Sequence, residues 1–453
     1  MARLTIHTFL LLSAASTIFG CFRAMPVAPV DLAIALATPA NRATRTATAS
    51  VANPNETGAS LTLTLDSALE RAVAADPVLA ELHAKTSAEA ARIAVADDLE
   101  NPELRLTNVN FRDGGEASEL TLRVRPPLPG AVQAKGEIAR ASFEQARADA
   151  ARARQLLATR VRKHFDLSLL HRDAAALAAE AAALEAHELV LLERELARGV
   201  ITRGDVAERA LDAARTRREC DQAARRLAAS RDILQGLLDV PMATPVVLVG
   251  EPLTPVALEA IDVEDGKLLE RALRARPELR DAGASIDAAR AETWLARAEQ
   301  WPMLSFVQVG YDFQPSGAEA WEAGVAIDVP LFNWNRDGIR AAEADLLVVR
   351  RGFEGVVREI AGEVQSCLVR ARDAASDLSR FRDGPSRAAA SARRSAESGR
   401  AVGQVSEGDL IEAKRRDIEA RLTELDLVED YVVAFAELGA AVGDLTAEGD
   451  VER

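Results

Sequence analysis

Aromatic residues make up only 4% of this 453-residue chain, although hydrophobic residues reach 48%. Alanine and aliphatic side chains therefore carry the apolar content, which suits close-packed helices better than a β-sandwich or a large α/β core. Cysteine is scarce. Cys21, Cys220 and Cys367 form no Cys-x-x-Cys pair and cannot build a disulfide framework. Five histidines are scattered with no pair at ligand spacing on a helix, so neither a metal site nor a cofactor is predicted. Basic charge is also in deficit: the formal net charge of −15 argues against a nucleic-acid partner, which needs a basic surface. The chain lacks a Gly-rich phosphate loop, a Gly-x-Ser-x-Gly elbow and a His-Glu-x-x-His pair, and no enzyme is expected.

What is present begins with an export signal. Residues 1–20 carry one basic residue, Arg3, then an apolar run from Phe9 through Phe19, too short to span a membrane and shaped like a secretory signal peptide. The run ends Ile18-Phe19-Gly20-Cys21, which resembles a bacterial lipobox. That resemblance implies a lipoprotein acylated on Cys21, with palmitate as a typical chain. An ordinary cleaved signal followed by a chance cysteine is the other reading. Residues 21–60, rich in Ala, Pro, Thr and Asn, read as a flexible tether.

The rest is one unit doubled. Leu69-Glu70-Arg71-Ala72 and Pro77-Val78-Leu79 recur as Leu269-Glu270-Arg271-Ala272 and Pro277-Glu278-Leu279, and Asn101-Pro102 as Trp301-Pro302. The offset then drifts: Pro127-Leu128 maps to Pro330-Leu331, Gly199 to Gly403, Asp205 to Asp409 and Gly236 to Gly439. The first repeat is placed at 61–240 and the second at 266–443, joined by a connector over 241–265 and followed by a tail over 444–453.

Each copy reads as helix, two strands, a very long helix, a break and another helix. A helix over 66–100 is predicted to start after Asp66 as N-cap, with Pro102 closing the segment. Strands follow at about 103–128 and 303–330. Leu120, Leu122 and Val124 alternate with Thr121, Arg123 and Arg125, and Trp321, Ala323, Val325, Ile327 and Val329 alternate with Glu322, Gly324, Ala326 and Asp328. Strands of about 10 residues match a tilted transmembrane β-strand. Residues 132–198 contain no proline and one glycine, Gly136, enough for a helix of about 100 Å. The helical hairpins are placed at 132–239 and 337–442, with a kink predicted at Gly384-Pro385. Helices this long cannot bury their apolar faces alone, and four strands cannot close a membrane barrel, so protomers must pool them.

These features, over residues 61–443, resemble the TolC-like outer-membrane efflux family. Asn101-Pro102-Glu103-Leu104 with Val109-Asn110-Phe111 is similar to its CzcC- and CusC-like heavy-metal branch. The resemblance implies a mainly α fold with a small β part: a homotrimer with a twelve-stranded barrel in outer-membrane lipid and an α-barrel in the periplasm. It also implies a periplasmic membrane-fusion adaptor and an inner-membrane pump of the RND or ABC type as partners. By the same resemblance the adaptor engages the tips Gly199-Val200-Ile201-Thr202 and Gly403-Gln404-Val405-Ser406. Asp409 and Glu412, three apart and so on one helix face, would form stacked acidic rings at the constriction, with Asp205 and Glu208 repeating the spacing in the first copy. The family commonly has aspartate where Glu412 stands. Capping alone also explains an aspartate in a first helical turn, and for Asp205 the two explanations weigh equally.

Trp301 and Trp321 fit the aromatic girdle of a membrane interface; Trp294 and Trp334 fit packing of helix on strand. Cys220 and Cys367 read as small buried hydrophobes. Four methionines give no sulfur ladder that would mark copper or silver as cargo. The competing reading is an exported coiled-coil scaffold, which would leave the alternating strands at matched positions without a purpose.

Overall fold

The computed structural model describes residues 61–110, 116–250, 265–301, 303–313 and 319–443. The signal segment, Cys21, the tether, Phe111, Pro302 and the tail over 444–453 lie outside the described residues.

Strand β1 (Leu61–Leu63) pairs in parallel with β4 (Val246–Leu248), tying the start of the first copy to the connector. Helix α1 (Leu65–Ala75) begins two residues earlier than the sequence suggests. Its N-cap is Thr64: the Ser67 amide donates to Thr64 Oγ1 at 3.3 Å and the Thr64 amide to Ser67 Oγ at 2.9 Å, leaving Asp66 in the first turn. Nor does one helix run over 66–100. The chain breaks at Asp76, which precedes a proline and takes an extended conformation, and its side chain accepts from Leu79 N at 2.8 Å to cap α2 (Pro77–Asp97). Pro277 likewise divides α5 (Asp265–Ala275) from α6 (Pro277–Ala298) after an extended residue, Arg276, which makes no side-chain cap.

Strands β2 (Glu103–Asn110), β3 (Glu116–Val124), β5 (Met303–Phe313) and β6 (Glu319–Asp328) form one antiparallel sheet in that order. Its register places Leu104 opposite Leu122, Leu120 opposite Tyr311, Val307 opposite Val325 and Tyr311 opposite Trp321. One face is thus apolar, and Leu104, Leu106, Leu122, Val309, Val325 and Ile327 on it are exposed. The other face is polar. There Arg123 donates to Gln308 Oε1 at 2.9 Å through Nη2 and stacks over the Phe306 ring, 4.2 Å from its centroid. The outer edges of β2 and β6 have no strand partner among the described residues.

Helix α3 (Ala131–Ala197) has 67 residues and, at 1.5 Å rise per residue, is about 100 Å long. Along its first part the buried residues are small, including Ala134, Gly136, Ala141 and Ala146, so α2 and α6 pack closely on it. Farther along, Leu157, Val161, Phe165 and Leu169 join Ala68, Ala72, Leu234 and Leu238 in the core of the first copy. Its end packs on α4 (Arg203–Leu237). In the second copy the long helix is α7 (Arg336–Phe381), a π-helical turn over Arg382–Ser386, and α8 (Arg387–Ala401). Gly384-Pro385 is thus absorbed in a π turn while the chain stays helical. Glu424 of α9 (Glu407–Val442) holds this turn, accepting from Arg382 Nε and Ser386 Oγ at 2.7 Å each. The second core gathers Leu268, Ala272, Ile360, Val364, Leu368, Tyr431 and Leu438, with Tyr431 stacked on Phe435.

The two copies close their helix ends alike. Arg71 Nε donates to Leu238 O at 3.1 Å, and Arg276 Nη1 donates to Ala440 O at 3.0 Å, each satisfying a carbonyl at the end of its copy's last helix. Cys367 is buried as expected of a small hydrophobe, whereas Cys220 is only half-buried.

Candidate functional site: the two helical tips

Each long hairpin turns in five residues, and backbone geometry explains which residues stand there. At the first tip Gly199 has φ 75°, Gly199 N donates to Leu196 O at 2.9 Å and Val200 N to Glu195 O at 3.0 Å. At the second, Gly403 has φ 76°, Gly403 N donates to Arg400 O at 3.1 Å and Gln404 N to Gly399 O at 2.8 Å. Both are Schellman closures, which need a residue without a Cβ penalty at the left-handed position. Three residues on, Thr202 and Ser406 are the N-caps of α4 and α9. Gly-x-x-Thr and Gly-x-x-Ser are therefore a helix stop joined to a helix start. Gly399 has a separate reason: a Cβ there would lie 2.5 Å from Val405 Cγ2. Val200 and Val402 project from the tips, about 70% exposed.

The acidic residues are bound into the same geometry. Asp205 Oδ2 accepts from the Thr202 amide and hydroxyl, both at 2.8 Å, and Asp205 N donates back to Thr202 Oγ1 at 3.3 Å. The hydrogen bonds from the Thr202 backbone and hydroxyl hold its carboxyl below the usual range. Asp409 Oδ2 accepts from Ser406 Oγ at 2.6 Å, and Asp409 N donates to Ser406 Oγ at 3.1 Å. Both aspartates are exposed and both serve as helix-start residues. Glu208 is exposed as well. Glu412 is half-buried and held by two guanidinium groups, Arg415 Nη1 at 2.5 Å and Arg416 Nε at 3.0 Å.

Arg415 is the residue the sequence did not single out. Besides Glu412 it reaches across to α3, where its Nε meets Glu185 Oε1 at 2.5 Å and its Nη2 pairs with Glu188. Glu188 also lies 3.7 Å from Arg209 of α4. One guanidinium thus ties the second copy's last helix to the first copy's hairpin, beside the tips. The i,i+3 pairs Glu185/Glu188 and Glu412/Arg415 are visible in the sequence, but nothing there pairs residues 230 positions apart. His187 and Glu407, 3.6 Å apart, add a second α3–α9 contact nearer the turn.

At the far end, Trp301 is 66% and Trp321 78% exposed, Trp321 lying 4.8 Å from the Tyr311 ring. Trp294 instead packs over Gly130 at the start of α3. Among the described residues no helix is long and apolar enough to cross a membrane, and no cluster of side chains is suited to holding a metal ion.

Comparisons with known proteins agree on the fold. Residues 268–444 match the family model described as outer membrane efflux protein. The structure resembles that of CusC, with a TM-score of 0.67 and 19% identity over 88% of this chain and 96% of the other. It also resembles the outer membrane protein VceC of Vibrio cholerae, at 0.66 and 18% over 84% and 96%, and the CmeC outer membrane channel of Campylobacter jejuni, at 0.67 and 13% over 89% and 92%. No curated protein matches the sequence significantly.

Proposed function

We propose that this chain, whose second copy carries the outer membrane efflux protein domain, is the outer-membrane channel of a tripartite efflux system. It is a passive duct that exports small molecules or metal ions across the periplasm and outer membrane without catalysis of its own. The observation that carries the reading is the sheet: apolar on one face, polar on the other, and open at both edges, β2 and β6. An open edge within a membrane leaves backbone groups unsatisfied, so the sheet must close against other copies. Three copies close twelve strands, with the apolar faces in lipid and the Arg123 face lining the lumen.

In this duct the helices carry the lumen through the periplasm, and the adaptor docks on Gly199 to Thr202 and Gly403 to Ser406. An inner-membrane pump supplies the energy. Cys21 anchors the chain to the outer membrane through its acyl chains. Asp409 and Glu412, with Asp205 and Glu208 repeating their spacing in the first copy, make the entrance attractive to cations. The scaffold reading is less well supported, because a scaffold has no use for a sheet with one apolar exposed face.

The test is the mass of the detergent-extracted protein together with its membrane fraction. Three chains per particle in the outer-membrane fraction support the duct; a monomer in the soluble periplasmic fraction overturns it.

A further inference from the structure

We infer that the junction of sheet and helices in the second copy binds the phosphate of an anionic phospholipid. The inference rests on the channel reading, which places this junction at the periplasmic face of the outer membrane. A cavity of about 480 Å³ opens between the end of α6 and the start of α7, lined by Arg297, Gln300, Trp301, Arg336, Ile339 and Arg340. Three guanidinium groups share it and no carboxylate lines it.

Arg297 meets Glu343 at 2.6 Å and Arg340 meets Asp337 at 3.3 Å, each a single contact with a residue outside the lining. Each guanidinium has five donors, so most remain available. Arg336 has no ion-pair partner among the described residues. Clustered guanidinium groups are favourable around an anion, and phosphate accepts their forked donors best. Lipid is the source favoured here because of what surrounds the cavity. Trp301 is 66% exposed, and the segment leading into α7 displays Leu331 and Phe332, 72% and 101% exposed, then Trp334. Indole and arginine side by side are the chemistry of a headgroup layer.

The duplication supplies an internal control. The left-handed N-caps Gly130 and Asn335 align the two long-helix starts, so Arg297, Gln300, Trp301, Arg336 and Arg340 correspond to Asp97, Glu100, Asn101, Ala131 and Lys135 of the first copy. The first copy thus offers two carboxylates and one lysine where the second has three guanidinium groups and an indole. Architecture alone therefore does not demand the arginines.

The experiment is native mass spectrometry of the full-length protein released from nanodiscs of mixed phosphatidylglycerol and phosphatidylethanolamine, with conductance recorded on the same preparation. The wild type retains phosphatidylglycerol preferentially. The double variant Arg336→Gln, Arg340→Gln lowers that retention by roughly thirtyfold, about 1 kcal/mol for each arginine, with conductance preserved. Conductance without any lipid preference, or a preference that survives the double variant, overturns this inference alone. Loss of bound lipid to inorganic phosphate would reassign the cavity to a free anion and also overturn it. A preparation that neither inserts nor conducts overturns the channel reading and this inference with it.

Discussion

The indole of Trp294 lies directly on Gly130: a Cβ at Gly130 would sit 1.9 Å from Trp294 Cη2. Gly130 also has φ 77°, as the N-cap of α3. Two constraints, backbone hand and ring contact, meet at the point where strand β3 hands over to the long helix. Gly130→Ala is expected to cost more than Gly199→Ala, because Gly199 has a similar φ of 75° but open space around it. The difference, about 1–3 kcal/mol of overpacking, should appear as a lower thermal midpoint for the first variant. Equal midpoints would show that the ring yields freely.

Removing Arg415 leaves Glu185 buried without its partner. Its side chain is only 7% exposed. Breaking a buried pair in this way costs about 3–5 kcal/mol, whereas removing both charges is often close to neutral. Arg415→Ala should therefore melt well below the wild type, and adding Glu185→Gln should restore part of the loss. A double variant as unstable as the single one would mean that packing of the arginine stem, not charge, carries the effect.

Asp166 is buried on α3 and burial raises its carboxyl from 3.8 to about 6. The folded state thus holds this proton more tightly than the unfolded state. Its contribution to stability falls as pH rises from about 4 to about 6, and it stays lost above that window. Asp166→Asn should gain up to about 2–3 kcal/mol at pH 8, with the gain fading as pH falls from about 6 to about 4 and absent below that. Paired thermal melts at the two pH values check this, and a pH-independent difference would contradict it.

Local physics made part of this molecule readable from sequence. Alternation along Leu120–Val124 and Trp321–Val329 marks strands, and the proline-free run over 132–198 marks the rod. Gly199 and Gly403 mark the turns because no other residue is at ease there. Other features depend on contacts made far along the chain. Asp66 looks like a cap until the Thr64–Ser67 exchange is seen, and Pro77 reads as one turn within a longer helix. Gly384-Pro385 marks an interruption of the rod, but its form, a π turn held by Glu424 some 40 residues away, rests on a distant contact. The link from Arg415 to Glu185 spans 230 residues. No periodicity records such a pairing.

The most direct test of the channel account is single-channel recording of the purified protein in a planar bilayer, comparing the wild type with Asp409→Asn, Glu412→Gln. The account predicts discrete, cation-selective openings for the wild type and reduced cation preference for the variant. A protein that never conducts under any bias would contradict the duct itself.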